Sequence, residues 1–177
     1  GCRSYRYEPQ TLPRPKGAPP SSLPTMLMWE TGDLVEDVDV VGDSELLLDA
    51  AISATDTAWI VTLQDVSPDG SVEDVTAGWL RACMKAVDEQ ASRPGRPVLP
   101  STAPTVVVPH ELTSFRIPLV STARRFVRGH RIRIVIASDD TTKGHPAIMG
   151  FHHQAPGIQS TNTVFGSSKL LLPIAPN

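Results

Sequence analysis

Apolar and polar residues alternate along several short segments of the chain, and this period of two predicts β-strands. The clearest case is 57–66, where Trp59, Val61 and Leu63 share one face and polar residues occupy the other. The next residues, 67–70, read Ser-Pro-Asp-Gly, which is a strong turn signal. The two segments together predict a strand that ends in a tight turn and leads into an antiparallel neighbour.

The segment 130–138 shows the same alternation, because Ile stands at every second position and Arg131 and Arg133 lie between. Residues 45–53 are ambiguous between strand and helix by local propensity, and their strand-like neighbours favour a strand. Turns are predicted at 42–43, at 126–129 and, as a hairpin, at 166–168. The remaining predicted strands are 26–29, 72–75, 112–119, 163–165 and 169–174.

One segment, 79–90, has apolar residues at helical spacing, although a strand over 79–84 followed by a loop fits equally well. Eight to ten short strands with at most one short helix predict an all-β fold: a jelly-roll, galactose-binding-like β-sandwich. Residues 1–24 hold six prolines and few large apolar groups. We therefore expect an extended Pro-rich arm or linker over 1–25, with the sandwich domain over 26–177. The proline-rich stretch 93–109 predicts a long surface connection.

Charge is distributed unevenly along the chain. Between Gly17 and Leu80 there are thirteen acids and no Lys or Arg, so this part carries −13 and the rest carries +10. The alternation with apolar residues favours solvated strand faces, and a second interpretation is that the two parts pair with each other. The overall balance gives no basic surface for nucleic acid. No apolar run is long enough to cross a membrane.

No catalytic motif is present in the sequence. A serine nucleophile elbow would read G-x-S-x-G, and only Gly166-Ser167-Ser168 comes near it. Phosphate-loop and dinucleotide fingerprints are absent, so we expect no cofactor and no catalytic residue in this chain. A histidine- and aspartate-rich stretch matches no metal-ligand spacing, so no metal site is predicted; it comprises Asp139, Asp140, His145, His152 and His153.

Several segments, in order, resemble the C-terminal domain of the X-Pro dipeptidyl-peptidase and cocaine-esterase class of serine hydrolases. The most specific is 125–133 (RFVRGHRIR), which is similar to H-x-F-x-x-G-H-R-I-R. Residues 56–59 (DTAW) and 63–70 (LQDVSPDG) resemble D-T-D-F and L-x-D-V-x-P-D-G. Weaker similarities complete the series at 5–9, 34–42, 77–82, 161–164 and 169–173. The stretch 138–145 departs from the pattern of that class, which puts any contact made by this loop in doubt.

The resemblance implies a non-catalytic jelly roll that packs on an α/β-hydrolase domain, helps wall its substrate cleft and contributes to interfaces, including a homo-oligomer. The Ser-Asp-His triad of that class lies on the hydrolase domain, and none of it maps here. Candidates for the cleft or interface are Asp56, Trp59, His130 and Arg131. The alternative is a stand-alone carbohydrate- or ligand-binding module, in which Trp59 would stack on a sugar, although core packing fits Trp59 better. We expect a soluble, cytoplasmic protein.

Overall fold

The computed structural model describes residues 1–9, 16–17, 19–139 and 156–176. Nine strands form in these ranges, and a single 3₁₀ turn at Ala82–Met84 stands where the helix was considered. The strands are β1 (Cys2–Tyr7), β2 (Met26–Glu30), β3 (Val38–Ile52), β4 (Ala58–Val66), β5 (Val72–Arg81), β6 (Thr113–Phe126), β7 (Arg131–Ala137), β8 (Ser160–Phe165) and β9 (Lys169–Leu171).

The strands form two antiparallel sheets that face each other. One sheet has the order β1-β8-β3-β6, with β9 also paired to β3, and the other has the order β2-β7-β4-β5. Consecutive strands pass from sheet to sheet, except at β4–β5 and β8–β9, and the strand order is that of the double Greek key of a jelly roll. The predicted all-β jelly-roll sandwich is confirmed, whereas the galactose-binding-like subtype stays a prediction.

The predicted alternation places the core correctly. Trp59, Val61 and Leu63 of β4 are fully buried. The Trp59 ring packs against Phe115 of β6, with centroids 5.3 Å apart, and edge-on to Tyr5 of β1 at 6.5 Å. One indole thus joins the two sheets at the centre of the molecule.

Two predicted turns do not reverse the direction of the chain. At 42–43 the chain does not reverse: β3 continues, with a β-bulge between Gly42 and Ser44. Gly42 has φ +123°, which glycine adopts without strain and which bends the strand while it stays paired. At 166–168 the predicted hairpin is wrong, because β8 and β9 both pair with β3 rather than with each other. Ser167 and Ser168 bind Asp49 across this interruption.

The predicted arm contains a strand. Cys2–Tyr7 pairs with β8 from Cys2–Phe165 to Tyr7–Ser160. Tyr5 is fully buried in the core of the sandwich, although the sequence predicted a segment without a core. Tyr5 and Tyr7 are the large side chains at alternate positions that allow this packing.

The sandwich closes on one side at Gly78. A Cβ at this residue of β5 would lie 2.2 Å from the carbonyl oxygen of Pro118 in β6. Thr76 Oγ1 also donates to the Val120 carbonyl at 2.6 Å. The edges of the two sheets therefore meet directly here, and β1 and β2 border the opposite, open side.

The acidic and basic parts of the chain pair across the strands. Asp39 binds Arg125 and Glu45 binds Arg116 between β3 and β6, and Glu30 binds Arg133 between β2 and β7. Because partner strands come from different parts of the sequence, the −13 and +10 parts lie side by side. The structure supports the interpretation of charge complementarity.

Candidate functional site

The connections between strands differ in length between the two ends of the sandwich. At one end, here the long-loop end, lie the connections 53–57 and 82–112 and the strand ends Tyr7, Met26, Ala137 and Ser160. The other, the short-turn end, carries 31–37, 67–71 and 127–130. Long connections clustered at one end of a rigid scaffold are typical of binding surfaces.

Asp56 lies at the long-loop end and holds two connections together. Its carboxylate accepts from Arg81 Nε at 2.6 Å and from the backbone N–H groups of Thr57 and Cys83 at 3.0 Å. The Asp56 side chain is almost fully buried. It accordingly fixes the start of β4 against the end of β5. The bond to Asp56 raises the pKa of the Arg81 guanidinium.

Trp59 lies three residues further on and is fully enclosed by the core. The indole presents no face to solvent in this chain. The weaker of its two predicted roles, a stacking surface for a sugar, therefore has no geometric support here. Its place in the core agrees with the other predicted role, in which a tryptophan within an apolar strand packs in the hydrophobic core.

A buried cluster of hydroxyl groups lies beneath the long-loop end. Ser138 Oγ bonds to the Tyr5 hydroxyl at 2.7 Å and accepts from Asn162 Nδ2 at 3.0 Å. Thr57 Oγ1 adds contacts to Ser138 and Ser160 at 3.2 and 3.3 Å. Burial raises the pKa of the Tyr5 phenol, and its bonds to Ser138 and Asn162 oppose that effect. The cluster ties four strand ends together and presents no exposed nucleophile.

His130 lies at the short-turn end, in the connection between β6 and β7. Its Nδ1–H donates to Asp65 Oδ1 at 2.7 Å, and Arg124 Nη2 donates to the other oxygen of Asp65 at 2.7 Å. Arg124 also reaches Glu73 at 2.7 Å. Asp65 is buried, so each of its oxygens has a positive or polar partner. A histidine–aspartate pair supplies two of the three members of a catalytic triad, but here Asp65 also pairs with Arg124 and forms the centre of an ion-pair cluster.

Arg131 lies on the outer face of β7. It donates to Glu30 at 2.6 Å, beside the parallel pair between Arg133 and Glu30. The four predicted residues therefore do not form one site. Asp56 and Trp59 lie at one end of β4 and His130 and Arg131 at the other, about 25 Å away at the rise of a β-strand.

The described residues contain no group of three or more His, Cys, Asp or Glu side chains placed to hold a metal ion. The predicted histidine-rich stretch lies almost wholly outside the described residues. In the described part of the chain there is also no helix with the length and hydrophobicity to cross a bilayer.

A pocket that the sequence did not indicate opens between the two sheets, on the side bordered by β1 and β2. Its volume is about 340 Å³. Trp29 forms one wall, and Arg3 and Lys169 stand at the rim. No motif could have revealed it, because its lining comes from six strands, most of which lie far apart in sequence.

The fold defines a jelly-roll domain, and the comparison with known families agrees. Residues 18–148 match the X-Pro dipeptidyl-peptidase C-terminal non-catalytic domain. The chain belongs to this family.

Individual relatives extend the similarity. A protein of Mycobacterium bovis described as a serine esterase is 31% identical over 158 residues, covering 84% of this chain and 24% of that protein. A CocE/NonD family hydrolase from Staphylococcus aureus superposes with a TM-score of 0.81 at 16% identity, covering 99% of this chain and 33% of that one. An aminopeptidase from a Thaumarchaeota archaeon gives 0.71 at 21% identity, with the same coverage. The chain thus spans about a quarter of the length of the curated relative.

Proposed function

We propose that this chain is the accessory C-terminal domain of a serine hydrolase and that it packs on an α/β-hydrolase domain through its long-loop end. The family match supports the role, and a group of exposed apolar side chains close together in the connection 82–112 supports the choice of surface. In the connection 82–112, Val106 is 82% exposed and Leu112 is 62% exposed. Exposed apolar groups gathered on one surface are typical of interaction sites.

The exposed residues are held in place rather than loose. Thr105 N donates to the Cys83 carbonyl at 2.7 Å, and His110 N donates to the Ile52 carbonyl at 2.7 Å. Between these two anchors Val107 is buried in the core while Val106 and Val108 point outward. A preorganised apolar ridge loses little conformational freedom when it docks.

We further propose that this end helps wall the substrate cleft of the hydrolase domain. Asp56 and the buried hydroxyl cluster would then have an indirect role, since they fix the connections 53–57 and 82–112 relative to the neighbouring strand ends. The acyl ester, amide or X-Pro peptide substrate would contact the connections and not Asp56 itself.

The proposal is tested first by activity-based labelling. The 177-residue chain should not react with a fluorophosphonate, whereas the natural polypeptide detected in source cells by an antibody to this chain should be several-fold heavier and should react. Stoichiometric labelling of the isolated chain, or a natural polypeptide of only 19.1 kDa, would contradict the proposal.

The docking surface is tested in the natural polypeptide by Val106→Glu. A charge at a buried interface is unfavourable, so we expect faster cleavage between the domains in limited proteolysis and lower esterase activity. Val35→Glu is the matched control, because Val35 is 84% exposed at the short-turn end. Equal effects of the two variants would exclude the long-loop end as the docking surface.

A further inference from the structure

The pocket on the open side of the sandwich has the character of a ligand site. It reaches the interior between the sheets, where Leu46, Ile134, Ile136 and Val164 form its apolar walls. At about 340 Å³ it falls within the range of small-molecule sites. It is open at the surface, so a ligand can enter without unfolding the edge strands.

The rim of the pocket is cationic. Arg3 and Lys169 line it, and no Asp or Glu does. Among the described residues no carboxylate forms an ion pair with either cation, whereas Arg125, Arg131 and Arg133 on the sheet faces are all paired. The charge of Arg3 is therefore available to a ligand, whereas Lys169 also interacts electrostatically with Asp49.

Arg3 is preorganised for such a contact. Its guanidinium lies 5.1 Å from the centroid of the Trp29 ring, and its Nη1 donates to the Met28 carbonyl at 2.8 Å. Stacking and one hydrogen bond fix the plane of the guanidinium, and the other N–H donors stay unused. A planar cation beside an apolar cavity matches a carboxylate attached to an apolar chain or ring.

We propose that this pocket binds an amphiphilic carboxylate, with the alkyl or aryl part between the sheets and the carboxylate on Arg3, beside Lys169. Burial of the apolar part supplies the affinity, and the positive charge at the rim selects the anionic head group. This inference does not depend on the proposed docking to a hydrolase domain.

The test is calorimetric titration of the 177-residue chain with octanoate, octan-1-ol and octylammonium, which share one alkyl chain. We expect octanoate to bind about tenfold more tightly than octan-1-ol, the gain typical of a charge-assisted hydrogen bond, and octylammonium to bind more weakly than both. The variant Arg3→Gln/Lys169→Gln should remove the preference for octanoate. Arg128→Gln, which removes an exposed cation away from the pocket, should retain it.

The position of the ligand is tested separately by fluorescence. Bromine quenches a tryptophan that it touches, so 8-bromooctanoate should quench the chain and should quench Trp29→Phe much less. Equal affinity for octanoate and octan-1-ol, an unchanged preference in the double variant, or quenching that survives in Trp29→Phe would each overturn the proposal. Failure of all three probes to bind would also overturn it and would point to polypeptide as the occupant.

Discussion

Glu45 and Arg116 form an ion pair between β3 and β6 in which the carboxylate is fully buried. Arg116 Nε donates to Glu45 Oε1 at 2.6 Å, and the backbone N–H of Gly95 donates to Oε2 at 2.9 Å. Arg116 also binds the Arg93 carbonyl at 3.2 Å. The pair thus fastens the long connection 82–112 to the outer face of the sheet. It keeps in place the same connection that presents Val106.

Glu45→Gln should destabilise the fold strongly. The change removes the buried counter-charge of Arg116 and leaves it only the exposed carboxylate of Glu89. Breaking a buried pair in this way typically costs about 3 kcal/mol or more. The midpoint of urea unfolding should fall accordingly, and the connection 82–112 should become sensitive to protease before the sandwich does.

Asp39→Asn is the matched control for that variant. Asp39 and Arg125 form a bidentate pair on the same two strands, but both groups are open to solvent. Exposed pairs contribute little, so the unfolding midpoint should barely change. Equal losses in the two variants would show that burial of Glu45 is not what makes its pair important.

Gly78→Ala should destabilise the closed side of the sandwich. The new Cβ would lie 2.2 Å from the Pro118 carbonyl, and rigid backbone stands on both sides of the contact. Overpacking of this kind costs about 1–3 kcal/mol, which a thermal unfolding curve resolves. Gly32→Ala is the control, because nothing lies within 4 Å of its Cβ position and no effect is expected. A stable Gly78→Ala protein would contradict the close contact of β5 with β6.

Strands whose pattern is purely local could be predicted from sequence. The alternation around Trp59 placed β4 and its buried face correctly, since burial on one side of a strand leaves a period of two in the sequence. The turn at 67–70 was found for a similar reason: Gly70 has φ +86°, and the Asp69 carboxylate accepts from Ser71 N at 2.9 Å. Both features depend only on neighbouring residues.

Features that depend on a distant partner could not be predicted. Gly42 signals a break in the chain, and only the partner strand β6 decides that it is a bulge and not a turn. The hairpin at Gly166 was predicted wrongly for the same reason, because the strands before and after it, β8 and β9, both pair with β3. The pocket beside Arg3 needs six strands to be in place. The charge asymmetry was visible in the sequence, but the choice of Arg116 for Glu45, 71 residues away, was not.

The two cysteines should differ in reactivity towards iodoacetamide. Cys2 is exposed, whereas burial and the nearby Asp56 carboxylate raise the pKa of the Cys83 thiol. Because the thiolate is the nucleophile, Cys2 should react first at pH 7.5 and Cys83 much more slowly. Peptide mapping of the alkylated chain gives the two rates. In denaturant the rates should become similar, and a fast Cys83 in the folded chain would contradict its position beside Asp56.

Asp49 should make the stability of the chain depend on pH in the acid range. The hydroxyls of Ser114 and Ser167 each donate to its carboxylate at 2.6 Å, and they hold the pKa of Asp49 below its usual 3.8. A carboxyl group with a lowered pKa in the folded state binds its proton less readily there than in the unfolded state. Its contribution to stability is therefore complete well above pH 3.8 and is lost as the pH falls through the folded-state value.

Asp49→Asn removes this contribution and should lower the unfolding temperature at pH 7. The difference from the wild-type chain should shrink steadily between pH 5 and pH 2, because the wild-type carboxylate becomes protonated over that range. In the variant Ser114→Ala/Ser167→Ala the carboxylate has lost both hydroxyl donors, so a further Asp49→Asn change should have a much smaller and flatter effect. A difference that stays constant down to pH 2 would show that the two serines do not stabilise the charged form of Asp49.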